Sequence, residues 1–324
     1  MSRARSGWAG AAVTALLAWL VLYPILLVVL EASHGGALRD FASRPGEWRA
    51  LWASCWISLA SVVLAAAIGV PLAFLFEWLD FPGRKLLGSL IALPAVLPPF
   101  VGVIAFLFLY GESGFVARAL QWVFHFQSAP WHLQGPGAIL LVHAYSMYVY
   151  FYLFARAGLA KLDGAMLEAA QALGAGRWRT LRAVVLPLLR PALGGAALLT
   201  FMTALGSFSA PYVFGGGFRV MPTQIVNSKL NGENGLAMVE TVALALLAIV
   251  GLALLRRTEG DDILVALGKG AAPRRRAIRR PATRALATAA GWVFAVLLLL
   301  PHLTLLLVSL VPYATWTTET LPPV

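Results

Sequence analysis

The chain has 324 residues, of which 60% are hydrophobic and only 12% charged, with a formal net charge of +11. Soluble domains carry about 25% charged residues, so a soluble enzyme, a disordered chain and a fibrous repeat are all excluded. The single cysteine, Cys55, excludes an intrachain disulfide framework and any Cys-x-x-Cys metal site.

A helix needs about 20 apolar residues to cross the hydrocarbon core. Seven stretches approach or exceed that length: Trp8–Leu30, Trp52–Phe76, Leu86–Tyr110, Ala138–Ala155, Pro191–Tyr212, Leu236–Leu255 and Ala285–Val311. The fold class expected is therefore all-α and integral to a membrane. The first stretch exceeds the roughly 7–15 apolar residues of a cleaved signal peptide. Alternating sides from a cytoplasmic N-terminus puts 19 of the 25 Lys and Arg inside and 6 outside, with the 14 acids divided equally. That bias is the positive-inside rule, and it explains the basic charge without nucleic acid as a partner.

Along the chain, Leu93–Pro99 reads LPAVLPP and breaks the third stretch. Pro94, Pro98 and Pro99 remove backbone donors, and a broken helix at membrane depth is tolerated only against protein or a water-lined path. Phe115–Phe126 is expected to be a short helix at the interface, anchored by Trp122. Small polar residues close the fifth stretch: Ser207, Ser209 and then Tyr212, followed by Gly215–Gly217. These prolines, serines and Tyr212 are candidates for a translocation path or a docking surface. Packing kinks and a plain flexible loop are the bland alternatives. The histidines are scattered without a carboxylate cluster, so no metal site is assigned. His143 reads as a polar contact between helices rather than a ligand.

The segment between the fourth and fifth stretches reads KLDGAMLEAAQALGAGRWRTLRAVVLPLLRP. Asp163 can N-cap a helix. Met166, Leu167, Ala170 and Leu173 recur at helical spacing and form an apolar face. Gly174 and Gly176 allow a left-handed turn, and a second short helix is expected from Arg177 until Pro187 disrupts it. An apolar knob on a cytoplasmic loop wants either a partner's groove or the inner leaflet.

Glu168–Pro187, EAAQALGAGRWRTLRAVVLP, resembles the EAA loop of permease subunits of binding-protein-dependent ABC importers. The agreement lies at Glu168, Ala169, Ala170, Gly174, Leu186 and Pro187, with Val184 where the family pattern has Ile. The resemblance implies a six-span type I importer unit over residues 1–256, with residues 161–190 as a coupling loop seated in a cytoplasmic ATPase. Two ATPase subunits, a periplasmic solute-binding protein and a second permease half are the partners implied, in a bacterial inner membrane. ATP and Mg²⁺ would be bound by the ATPase partners, and no cofactor is expected in this chain. The only Gly-Lys pair, Gly268–Lys269, is followed by Gly270, so a phosphate-binding P-loop is absent.

Ile68–Leu87, Leu93–Gly114 and Gly206–Ile225 further resemble the ferric-iron importer branch, near which thiamine and aminoethylphosphonate permeases lie. Ferric iron is the expected cargo. In that branch two six-span halves are often fused. Residues 257–284 read as a basic cytoplasmic linker that also meets anionic lipid, and residues 285–324 as a seventh span beginning a second unit. Leu17–Val29 and Phe294–Leu306 support this, each with a proline seven residues in (Pro24 and Pro301). The rival readings are an inactive fragment or membrane scaffold, and an ion-driven carrier. A carrier would need ionisable groups within the spans, where Glu240 stands alone.

Overall fold

The computed structural model describes residues 2–257, 276–277 and 280–310. The expected linker falls mostly outside the described residues, as does everything after Leu310. In chain order the helices are α1 Ser2–Ser33, α2 Ala37–Ser43, α3 Pro45–Trp78, α4 Arg84–Leu90, α5 Pro99–Tyr110, α6 Phe115–Phe124, α7 Gly135–Ala160, α8 Gly164–Ala172, α9 Arg177–Thr180, α10 Leu186–Leu205, α11 Ser209–Phe214, α12 Met221–Leu230, α13 Asn234–Arg257 and α14 Pro281–Ser309. Seven segments among the described residues are long and apolar enough to cross a membrane.

The third stretch breaks at its prolines as the sequence indicates, and the fifth takes a different form. The third stretch is not one helix. It is α4, a 3₁₀ turn at Leu93–Val96, and then α5. The prolines of LPAVLPP force this, because each lacks a donor and disfavours helix in the residue before it. The fifth stretch starts earlier than expected and ends as two helices, α10 and α11. Pro187 does not stop the chain of helical turns. Leu181–Val185 form a π-helical segment in which the Leu186 N–H donates to the Leu181 carbonyl five residues back. This wider turn lets the helix run on through a residue that lacks an N–H and whose ring crowds the preceding turn.

The chain divides into two compact units. The smaller comprises Met1–Trp56 and Arg219–Val250, and the larger Ile57–Phe218 and Gly251–Val324. In the smaller unit, Ala37, Phe41 and Ala50 pack with Met221, Leu236 and Val239. The Met221 N–H donates to Ser54 Oγ at 2.7 Å, which fixes the start of α12 against α3. The Arg44 guanidinium donates to both oxygens of Glu233 at 2.9 Å and holds that carboxyl below its usual range. The bridge is exposed, so it contributes little to stability. From Val13 to Leu30 the side chains of α1 are largely uncovered, with Trp19 and Leu20 exposed, as befits a helix turned to lipid.

In the larger unit α7 is central. It packs against α10, α11, α5 and the 3₁₀ turn. It lies close against α3 at Gly69. A Cβ there would lie 2.3 Å from the Tyr148 carbonyl oxygen and 2.7 Å from Phe151 Cβ. Lipid tails are as apolar as Leu, so helices in a bilayer associate through such close packing rather than through hydrophobic exclusion. At the ends of α3 and α7, Arg84 donates to the Phe76 carbonyl at 2.5 Å, and Arg156 lies 3.5 Å from Glu77. The seventh span, α14, packs on α4, α5 and the 3₁₀ turn of this same unit. Tyr145 donates to the Leu298 carbonyl at 3.1 Å.

Gly69→Val forces α3 and α7 apart. Overpacking of this kind costs about 1–3 kcal/mol. The unfolding temperature of the detergent-purified protein should fall clearly, whereas Gly46→Ala, where a Cβ meets nothing within 4 Å, should leave it nearly unchanged.

Candidate functional site

The loop between α7 and α10 takes its shape from its caps. The Ala165 N–H donates to Asp163 Oδ1 at 2.9 Å, so Asp163 is the N-cap of α8 as expected. At the other end, Gly174 has φ +77°. Its N–H donates to the Gln171 carbonyl at 2.9 Å, and the Ala175 N–H donates to the Ala170 carbonyl at 3.0 Å. This pair of bonds is the Schellman arrangement, whose pivot residue must be left-handed. A side chain at Gly174 would find open space, so backbone conformation alone demands glycine there. Gly176 plays a different part from the one expected. It is extended, with φ −63° and ψ 162°, and caps the N-terminus of α9.

The predicted apolar face is split. Leu167 turns inward onto the core of the larger unit. Met166 and Leu173 turn out, with Leu173 89% exposed. Trp178 is 62% exposed, and the Arg182 guanidinium lies 4.4 Å from its ring centre. A cation over an aromatic face stiffens both side chains. This pairing went unforeseen, although Trp and Arg four residues apart on a helix is the signal for it. Glu168 and Ala169 are exposed, Ala170 is half-buried, and Leu186 and Pro187 lie half-buried at the start of α10. The site is a rigid, capped, two-helix corner with an apolar tip and an adjacent carboxylate. It holds no constellation for covalent chemistry.

The candidate path residues divide into two groups. Pro94 is buried in the 3₁₀ turn, while Pro98 and Pro99 are exposed at the start of α5. The carbonyls beside this break are met from α7. Tyr148 donates to the Ile91 carbonyl at 2.5 Å and Tyr152 to the Gly88 carbonyl at 2.8 Å. At the second break, between α10 and α11, Ser207 Oγ lies 3.0 Å from His143 Nε2, and His143 Nδ1 lies 2.8 Å from Ser61 Oγ. Ser61 donates its hydroxyl proton to the Ile57 carbonyl at 2.7 Å. It therefore accepts from Nδ1–H, which leaves Nε2 to accept from Ser207. The buried His143 is thus a contact between helices, as its sequence setting implied. Ser209 is half-buried, and Tyr212 is exposed, its ring stacked on Phe208 at 4.9 Å. Both breaks pack on α7, a convergence the sequence did not disclose.

Residues 65–259 match the family described as the binding-protein-dependent transport system inner membrane component. The "Probable ABC transporter permease protein y4fN" of Sinorhizobium fredii is 31% identical over 320 residues, which is 94% of this chain and 56% of that protein. The chain thus spans little more than half the length of that relative. The molybdenum transport system permease protein ModB of Escherichia coli is 32% identical over 213 residues, 63% of this chain and 90% of ModB. Among solved structures, a bacterial ABC transporter involved in the import of the acidic polysaccharide alginate shares the fold, with a TM-score of 0.63 at 18% identity over 79% of this chain and 96% of that one. The chain belongs to this family of binding-protein-dependent transport system inner membrane components.

Asp163→Ala removes the α8 cap at a cost of about 1 kcal/mol. Amide hydrogen exchange over Gly164–Leu173 should quicken several-fold, while exchange in α7 stays unchanged.

Proposed function

We propose that the chain forms half of the translocation path of an ATP-driven importer in a bacterial inner membrane, with its N-terminus in the cytoplasm. A periplasmic binding protein delivers the solute. Two cytoplasmic ATPase subunits supply ATP, Mg²⁺ and hydrolysis. A second half, covalent or separate, completes the path. Residues 1–256 make up this half. The stretch from 285, which repeats the early Pro24 pattern at Pro301, begins the second. The excess of Lys and Arg on one side supports the orientation.

The observation that carries the reading is the apolar tip of the α8–α9 corner. Leu173 at 89% exposure and Trp178 at 62% are left largely uncovered by the described residues, and the caps set the backbone that carries them. Seated in an ATPase groove, they pass its motion to α10. Glu168 orients the corner, Ala169 and Ala170 allow close seating, Gly174 makes the turn, and Leu186 and Pro187 join the corner to the span. The two helix breaks at Pro94–Pro99 and Ser207–Tyr212 line or gate the path. Two broken spans converging on one helix favour this reading.

The cargo reading is ferric iron, supported by the likeness of Ile68–Leu87, Leu93–Gly114 and Gly206–Ile225 to that branch. A second reading, molybdate, is favoured by the 32% identity to ModB across 90% of its length.

Two measurements test these readings. The ATPase should co-purify with the wild-type chain in detergent and be lost with Leu173→Glu or Gly174→Asp, both of which should still insert in the membrane. Retention of the ATPase by both variants would overturn the coupling assignment. Uptake of labelled iron and labelled molybdate into cells expressing the complete transporter separates the cargoes.

A further inference from the structure

Two carboxylates are buried together in the smaller unit. Glu47, in the first turn of α3, is 2% exposed, and Glu240, in α13, is 0% exposed. Both meet the same face of α12, where Gln224 and Ser228 stand one helical turn apart. Each has one satisfied oxygen. Glu47 Oε1 accepts from Gln224 Nε2 at 3.0 Å, and Glu240 Oε1 accepts from Ser228 Oγ at 2.7 Å. Each also has one oxygen, Oε2, that receives no donor from the described residues. Gln224, itself 8% exposed, leaves its Oε1 without a partner as well.

Two ionised carboxylates accept hydrogen bonds and donate none. Placed together away from water they repel, and neither offers what the other lacks. A neighbouring cation would resolve this, but the nearby charges do not supply one. Arg44 is exposed and committed to both oxygens of Glu233, and Asp40 and Glu233 add only negative charge. Among the described residues no group of three or more His, Cys, Asp or Glu side chains stands ready to hold a metal ion, whereas calcium takes 6–8 oxygen ligands and magnesium demands about six. One proton needs only two oxygens, and the two Oε2 atoms supply them.

We infer that Glu47 and Glu240 bind a single proton between them, as a carboxylic acid donating to a carboxylate. This proton-binding site ties α3 to α13, and through Gln224 and Ser228 it ties both to α12. A short charge-assisted O–H···O⁻ bond is among the stronger hydrogen bonds. It makes the smaller unit's only buried acidic pair among the described residues a fastening rather than a fault. The inference does not depend on the transport reading.

Infrared spectroscopy of the detergent-purified full chain at neutral pH tests it. The C=O stretching band of a protonated carboxyl group should be present in the wild type and shift on ¹³C-glutamate labelling. It should be lost in both Glu240→Gln and Glu47→Gln. Either glutamine replaces the shared proton with an amide donor, so the unfolding temperature should hold. Glu240→Ala, which leaves Glu47 facing a void, should lower it. Absence of the band in the labelled wild type would overturn the inference. So would an unfolding temperature that rises on adding sodium or calcium chloride and loses that response in Glu240→Gln, since the occupant would then be a metal ion.

Discussion

Backbone amides and carbonyls inside a bilayer have no water to turn to, so a break in a spanning helix must be answered by protein. This chain breaks two of its spans, and α7 meets backbone carbonyls at the first and a serine side chain at the second. Tyr148 and Tyr152 reach the carbonyls of Ile91 and Gly88 beside the first break. His143 reaches Ser207 at the second and Ser61 on α3. Gly69 lets α3 lie against α7 at backbone distance. The larger unit is therefore organised around a helix that carries polar side chains where its neighbours need partners and apolar ones elsewhere.

The α8–α9 corner obeys the opposite logic. Its polar backbone is satisfied locally by Asp163 and the Gly174 turn, and its apolar side chains are left over. Burial of a Leu or an aromatic side chain of this size stabilises by roughly 1.5–3 kcal/mol each. An isolated chain forgoes that for Leu173 and Trp178. A groove that accepts them gains it without first having to order the loop, because the caps have already done so. The corner's shape is set by its own backbone caps.

Much of this was legible in the residues. Asp163 and Gly174 declare a helix start and stop through rules that act over a few residues, and the structure places both as read. The apolar stretches locate the spans because the thickness of the hydrocarbon core sets their length. The misreadings share a cause. Pro187 signals a stop by local rules, but the chain absorbs it in a π turn. Met166 and Leu167 sit side by side on an apolar face, yet the helix turns one to the core and the other outward. The convergence of both breaks on α7, and of Glu47 on Glu240, depends on residues far apart in the chain. No spacing rule reports such meetings.

The π-helical segment at Leu181–Val185 sits between the corner and the fifth span. A π turn holds one residue more than an α turn, and that surplus residue is a defect that can migrate. Wherever the defect sits, it offsets the α-helical turns on its two sides by about 100°, the rotation of one residue in an α-helix. A step of the defect along the helix therefore leaves the two ends in phase with where they were. It turns only the residues that it passes to a different face, without lengthening the helix or breaking it.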